Sequence, residues 1–484
     1  MIESHSRRNH RRIAAVAAVV CLALVSAGCG TRLSRAVIVG AARGAAAGGL
    51  TAGASGASGA SGPGVLSSTG PASQAGTSGG SAQAAGPSTG ASSGGQTAGA
   101  SGATGGGSAS AGSSSGSSAS SGTAGSVINL GNVGTYSGVM GAIASGAQQT
   151  LQVWAAYTNA HGGLNGHPVH VYSADDGGDP STSQTEMQQM VSQDHVIAFI
   201  GNQNPFTVDT SASYLSQQHI PAIGGDLLSD AWFTNPGVLF PEGTQLVHIV
   251  DATIKAAVAA GRTQLGVMYC EEVTPCPVQF NHLKNGGAQA DGANLVWSST
   301  YSVTQSDFTS QCIQAAQAKV NVIFLMGDAN SLNRMATNCS SQNFHPLYEA
   351  SSIGVSASVQ SDANLQGMIG SIATFAWMDS ATPAQQAYQQ AIKQYAPSLV
   401  PSEASTEEWT SGMLLQAASK FLGAGPTSAQ VMQGLYTISN NDLGGLTAPI
   451  TFTANANPVV APCAFYITLQ NDKFVDTNNG HYRC

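Results

Sequence analysis

The chain has 484 residues, 59 of them glycine, and only 8% are charged. Its 16 Lys and Arg stand against 25 Asp and Glu, and beyond residue 126 the imbalance sharpens to 9 against 24. So acidic a surface repels phosphate backbones and argues against nucleic acid as a partner, while the length allows two to three ordinary domains.

Arg7, Arg8, Arg11 and Arg12 precede an apolar run from Ile13 to Val25, which ends at Ser26-Ala27-Gly28-Cys29. A basic start, a short apolar stretch and small residues before a cut site make a secretory signal over residues 1–28. The run is too short to span a bilayer comfortably. Small residues directly before Cys29 resemble a bacterial lipobox, in which the cysteine is diacylated and becomes the new N-terminus, although Ser26 stands where Leu or Val is commoner. The alternative is a plain signal peptide with an incidental cysteine. Lipidation at Cys29 would hold the protein in the cell envelope, on the outer face of the cytoplasmic membrane, because two or three acyl chains anchor stably where one is marginal. Residues 29–126 are a Gly/Ala/Ser/Thr tract without aromatic residues or apolar periodicity, which reads as a disordered tether. Random-coil scaling gives it a reach of about 50–60 Å.

From Val127 short apolar runs alternate with helical patterns. Val127 to Val133 reads as a strand, and Gly134-Thr135-Tyr136-Ser137-Gly138 as the loop after it. A helix over Ser145 to Ala160 carries Leu151, Trp154, Ala155 and Thr158 on one face and stops at Gly162-Gly163. Val169 to Tyr172 is the next strand. Asp179-Pro180 is an N-cap followed by a first-turn proline, opening a helix to about Gln193. Val196 to Ile200 and Ile220 to Ile223 complete a β-α-β-α-β-α-β series, the pattern of a parallel sheet with helices on both faces. The unit then repeats, with strands at Leu265 to Tyr269, Leu295 to Ser299, Val320 to Met326 and Pro346 to Tyr348. The tail reads as helices over Gln385 to Tyr395 and Glu407 to Leu422, then a hairpin of Ala464 to Leu469 with Lys473 to Val475. The fold class is α/β, two doubly wound parallel-sheet lobes.

Four segments carry a more specific likeness: Gly134 to Gly138; Gly162 to Val169; Asp175-Asp176-Gly177-Gly178-Asp179-Pro180; and Ile200-Gly201-Asn202. In this order and spacing they resemble type I periplasmic binding proteins, in the leucine/isoleucine/valine-binding branch, best over Val127 to Gly225. The resemblance implies a hinge of three crossovers, near Pro241 to Thr244, Thr374 to Trp377 and Leu446 to Ile450. Lobe 1 is then 127–243 plus 376–447, and lobe 2 is 244–375 plus 448–484. It further implies an ABC-type solute-binding protein that captures a small polar ligand, an amino acid, amide or similar, as a monomer that hands its ligand to an ABC permease. The alternative is a tethered sensor or adhesion module on the same fold.

In open parallel sheets ligands sit beyond the carboxyl ends of the strands. The loops there offer Ser137, Asn202, Gln203, Asn204, Gly225 and Asp226 from lobe 1, and Glu271, Asp328 and Glu349 from lobe 2, with Trp377 as an apolar wall. Ser137 and Asp226 serve equally well as helix caps. Glu349 falls where amino-acid binders of the branch place a carboxylate for the ligand ammonium, and it also reads as a solvated strand-end group. Asn202-Gln203-Asn204-Pro205 departs from the Ser/Thr usual in that branch, and no aromatic counterpart stands out in the first loop, so the ligand class stays open. Asp175, Asp176 and Asp179 read as turn and cap residues rather than metal ligands.

The folded region lacks a nucleophile elbow, a P-loop and a glycine-rich dinucleotide loop, so no enzyme is expected, and no cofactor or metal. His161, His167, His170 and His195 read as surface residues, and Glu407-Glu408 as a helix start favourable to the macrodipole. Six cysteines remain beyond the signal and the anchor, without zinc-type spacing, and an even number in an exported chain points to disulfides. Their placement pairs Cys270 with Cys276, Cys312 with Cys339, and Cys463 with Cys484, each requiring Cα atoms about 4.4–6.8 Å apart.

Overall fold

The computed structural model describes residues 125–484, except 139, 140, 142, 143, 145, 273, 274, 352 and 353. The signal sequence, Cys29 and the tether up to residue 124 lie outside the described residues. The first contacts reach a turn 41 residues further on: the Gly125 amide donates to the Gly166 carbonyl at 3.0 Å, and the ring of His167 bonds the Ser126 carbonyl at 2.8 Å. His167 is therefore buried rather than on the surface, because it clamps the incoming chain.

Five strands form the first sheet, β1 (Ile128–Gly134), β2 (Val169–Asp175), β3 (Ala198–Asn202), β4 (Ala222–Gly225) and β5 (Leu239–Phe240), in the order β2-β1-β3-β4-β5. Every pairing is parallel. Helices α1 (Ala147–Ala160), α2 (Pro180–Ser192) and α3 (Val208–Gln218) make the crossovers. Asp179 caps α2 as its sequence requires, accepting from the amides of Ser181 and Thr182 with Pro180 in the first turn.

The second sheet repeats that wiring. After α4 (Leu246–Ala259) come β6 (Gln264–Cys270), α5 (Pro275–His282), β7 (Asn294–Tyr301), α6 (Thr309–Gln317), β8 (Val322–Met326), α7 (Ala329–Ser341), β9 (Leu347–Ser351) and β10 (Ile369–Ile372). Their order is β7-β6-β8-β9-β10, the first sheet's order again. β8 is buried along its whole length, Val-Ile-Phe-Leu-Met, as a central strand covered on both faces must be. The chain then returns through α8 (Pro383–Tyr395), α9 (Glu403–Ala418) and α10 (Ser428–Leu435), passes a short β11 (Ile450–Thr451) and β12 (Val459–Val460), and ends in the hairpin β13 (Phe465–Gln470) and β14 (Lys473–Asp476). β13 adds antiparallel to β10. Although it follows the second sheet in sequence, α9 packs on β3, β4 and α1 of the first.

Three stretches of chain thus join the sheets: the one after β5, the one after β10, and the one before β13. Two of them touch directly, through an antiparallel bridge between Thr374 and Thr447. The first is tied to the third by the Thr244 hydroxyl, which donates to the Cys463 carbonyl at 2.5 Å.

All three cysteine pairings are bonded in the structure. The Cα separations are 5.5 Å for Cys270–Cys276, 5.0 Å for Cys312–Cys339 and 4.0 Å for Cys463–Cys484. The last is closer than expected. Ala464 and Arg483 exchange both backbone hydrogen bonds, so the next pair along is a non-hydrogen-bonded one, where antiparallel strands come closest.

Candidate functional site

Both sheets have their topological switch where the strand order turns back on itself, between β1 and β3 and between β6 and β8. The loops at those carboxyl ends are the natural binding surface. At the first switch the strand ends are knitted by carboxamides. Asn132 donates to the carbonyls of Ile200 and Gly201 at 3.0 and 2.6 Å, and the Asn202 side-chain oxygen accepts from the Val133 amide at 3.0 Å. The loops beyond are held by Asp176, which is buried. It accepts from the hydroxyls of Thr135 and Thr207 at 2.8 and 2.7 Å and from the Gly178 amide at 2.8 Å. Asp175 accepts from the amides of Tyr136 and Gly177 at 2.9 and 3.0 Å. These are the turn roles that the Asp-Asp-Gly-Gly sequence suits. Among the described residues no three His, Cys, Asp or Glu are placed to hold a metal.

Most of the first-sheet candidates converge. Gln203 donates its side-chain amide to Glu407 at 3.2 Å. Asn204 donates its side-chain nitrogen to the Ser211 hydroxyl at 3.1 Å, while its side-chain oxygen is buried without a partner. Asp226 accepts from the Leu228 amide at 2.9 Å, a turn bond, and from the Asn204 backbone amide at 3.2 Å, and burial pushes its pKa up to about 6. The Gly225 amide donates to both oxygens of Glu242, at 3.2 and 3.1 Å. Ser137 stands exposed at the rim.

The second-sheet candidates divide. Glu271 is exposed at the end of β6, and its amide donates to the Tyr301 carbonyl at 3.2 Å. Asp328 caps α7, accepting from the amides of Asn330 and Ser331 at 2.9 and 3.1 Å, and Ser331 Oγ adds a bond at 2.6 Å. Arg334 reaches back to Ser331 Oγ and the Val303 carbonyl, both at 2.9 Å, and Tyr301 donates to the Met326 carbonyl at 3.3 Å. A polar rim therefore surrounds the ends of β6 to β8. Trp377 is half-buried and meets Phe474 of β14 edge-on at 5.7 Å.

Glu349 is a correction to the solvated strand-end reading. It lies in mid-strand, with β9 continuing to Ser351, and is fully buried. Neither carboxylate oxygen has a hydrogen-bond partner within 3.5 Å, and burial pushes its pKa well above the usual carboxylate range, with the Ala257 backbone of α4 a small counterweight. Hydropathy at a single position carries no signal for which strand residue faces a covering helix.

Glu407 and Glu408 are a second correction. α9 begins at Glu403, a turn earlier than the sequence pattern suggests, and every residue in it is buried except Met413, Gln416 and Ala417. Its surroundings are apolar on one side, where Trp409 meets Tyr157 and Tyr388, and carboxylate-rich on the other. A helix buried all round yet rich in Ser, Thr and Glu has no amphipathic stripe by which sequence periodicity could place it. Glu242 and Tyr136 also escaped the sequence reading. Tyr136, an aromatic of the first loop that the sequence did not single out, donates to Asn132 at 2.9 Å.

A family model described as periplasmic binding protein matches residues 127–472. No curated protein matches the sequence. Among solved structures, a possible leucine/isoleucine/valine-binding protein from Rhodopirellula baltica is 17% identical with a TM-score of 0.63, covering 74% of this chain and 98% of its own. A fatty acid ABC transporter substrate-binding protein from Thermomonospora curvata gives 17% and 0.63, with 73% and 92% covered. The branched-chain amino acid transporter substrate binding protein of Streptococcus pneumoniae, solved with isoleucine, gives 16% and 0.59, with 72% and 99% covered. At such identities the likeness is one of fold.

Proposed function

The chain belongs to the periplasmic binding protein family, and from that premise we propose that it is a lipid-anchored solute receptor for an ABC-type importer. In this reading Cys29 carries the lipid and residues 29–126 are the tether. Lobe 1 comprises 127–243 with 376–447, and lobe 2 comprises 244–375 with 448–484. The lobes close on a small polar ligand, an amino acid, amide or similar, and no covalent chemistry follows. The observation that carries the reading is the doubled β2-β1-β3-β4-β5 wiring with three joining segments, which sets two switch-point loop clusters on a common hinge.

Asn204, Asp226, Glu271 and Asp328 are the side chains proposed to meet the ligand, with Ser137 and Trp377 at the margins. Asn202, Gln203 and Gly225 hold the backbone that presents them. Glu349 enters only through a rearrangement of α4. Thermal unfolding of the full chain against amino acids, amides, ureas, sugars, and aromatic and fatty acids tests the proposal. A ligand at a hundred times its Kd stabilises by about 2.7 kcal/mol. No response to any of these classes, from a cooperatively folded sample, would remove the receptor reading.

A further inference from the structure

Five carboxyl groups are buried around the segments that join the two sheets: Asp226 past β4, Glu242 past β5, and Glu403, Glu407 and Glu408 on α9. Glu242 lies in the first joining segment and braces the end of β4 through the Gly225 amide. Glu403 accepts from the Ala373 amide at 3.1 Å, at the start of the second joining segment, and Thr406 of the same helix bonds Thr374 at 3.0 Å. Thr374 in turn bridges to Thr447 of the third. The carboxyl groups therefore line the three-way junction itself.

Two glycines let them in. At Gly201, with φ +59°, a Cβ would sit 1.6 Å from a Glu408 oxygen; at Gly224, with φ +71°, it would sit 1.8 Å from Ser411 Oγ and 3.0 Å from Glu242. The strand ends are bare so that α9 and its acids can press on the backbone. Among the described residues no lysine, arginine or histidine is ion-paired with Asp226, Glu242, Glu407 or Glu408. The other titratable group facing the cluster is Tyr136, which interacts electrostatically with Glu408 and Asp176, while Tyr157 and Tyr388 meet Trp409 on the opposite, apolar side of the helix. All are acids or phenols.

We propose that this junction is a proton-loaded latch: Glu242, Glu407 and Glu408 hold protons among them in the folded protein, with Asp226 as a neighbouring acid, and loss of those protons at alkaline pH loosens the segments joining the sheets. Like charges this close and this dry cannot all ionise, so the neutral form is the one the fold accommodates. Burial, then the neighbouring carboxylates, raise Glu242, Glu407 and Glu408 well above the usual range. Because these groups bind protons more tightly folded than unfolded, their contribution is complete below the unfolded value of about 4.5 and declines as pH rises toward their folded values. The latch belongs to the joining segments, and it stands whether or not a transported ligand is found.

The test uses the full chain without ligand. The midpoint of thermal unfolding should fall by roughly 5 °C or more between pH 5.5 and pH 8.5. The radius of gyration from small-angle scattering should rise over the same interval. In the Glu407→Gln, Glu408→Gln double variant both slopes should shrink, and the infrared band of neutral carboxyl groups at pH 7 should lose intensity. Buried acids elsewhere, such as Glu349 and Asp379, add to the wild-type slope but are unchanged in the variant, so the difference reports the cluster. Should the double variant not fold, single Glu242→Gln and Glu408→Gln variants give the same comparison. Slopes and band unaltered by these substitutions would overturn the proposal.

Discussion

Replacing Glu349 by leucine should stabilise the protein, and by an amount that depends on pH. The residue is fully buried, in register with Phe324 of β8 and Ile369 of β10 beneath α4, and its carboxylate makes no hydrogen bond within 3.5 Å. An unfolded chain exposes it as an ordinary glutamate with a value near 4.5, whereas burial keeps it protonated in the fold. Each pH unit over which the folded group holds its proton and the unfolded one does not costs about 1.4 kcal/mol. At pH 6.5, two units above the unfolded value, the cost is on the order of 2–3 kcal/mol. The neutral acid still leaves polar atoms unmatched in an apolar setting, at about 1 kcal/mol or more. Leucine is close in volume and removes both penalties. We expect Glu349→Leu to gain about 2–4 kcal/mol at pH 6.5 and about 1 kcal/mol at pH 4.5, read from urea unfolding of the full chain. A loss at pH 6.5, or a gain equal at both values, would refute the reasoning and return Glu349 to the list of ligand contacts.

Asp176→Ala should cost about 2–4 kcal/mol, since it removes a buried acceptor of three hydrogen bonds and orphans two threonine hydroxyls; chemical denaturation checks it. Replacing Cys312 and Cys339 together by alanine should lower stability by about 3–4 kcal/mol on the chain-entropy estimate for a closed loop spanning 27 positions, seen as a drop in Tm that wild type matches only on reduction. Cys29→Ser should move the protein from the membrane fraction to the soluble one, and a variant still released only by detergent would contradict the lipid anchor. A chain beginning at Gly125 should unfold in one cooperative transition, because nothing earlier is needed to complete β1; a molten product would contradict that boundary.

The sheets were legible because their strands are short apolar runs punctuated by Gly, Pro and Asp. Asp179-Pro180 announced α2, and β8 announced itself by composition alone. The disulfides followed from element order: Cys270 closes a strand that leads into the helix bearing Cys276, and Cys463 and Cys484 flank the terminal hairpin. The site was less legible because its polar residues have local uses that look the same in sequence. Asn202 and Asp328 sit at strand ends as a binding residue would, yet one splices β1 to β3 and the other caps α7. The junction acids were hidden by a different cause. Glu242 and Glu408 lie about 165 residues apart in sequence, and nothing local records that a glycine on β3 leaves room for one and a strand-end amide receives the other.

The three disulfides all lie on the side of the second sheet, and none ties the first. This asymmetry has a mechanical meaning. A pull on the N-terminal side enters at Gly125, through the hydrogen bonds of Gly125 and Ser126 and then β1, which is paired on both sides, and meets only noncovalent resistance until it has passed β5. A pull reaching the C-terminal side meets a covalent loop that shelters the last hairpin and cannot lengthen while Cys463 and Cys484 stay bonded. Stretched from its leading end, the molecule should therefore yield in two unequal stages, a compliant half that extends fully and a stapled half whose three loops, spanning 6, 27 and 21 positions, stay closed, and only the second stage should respond to a reducing agent.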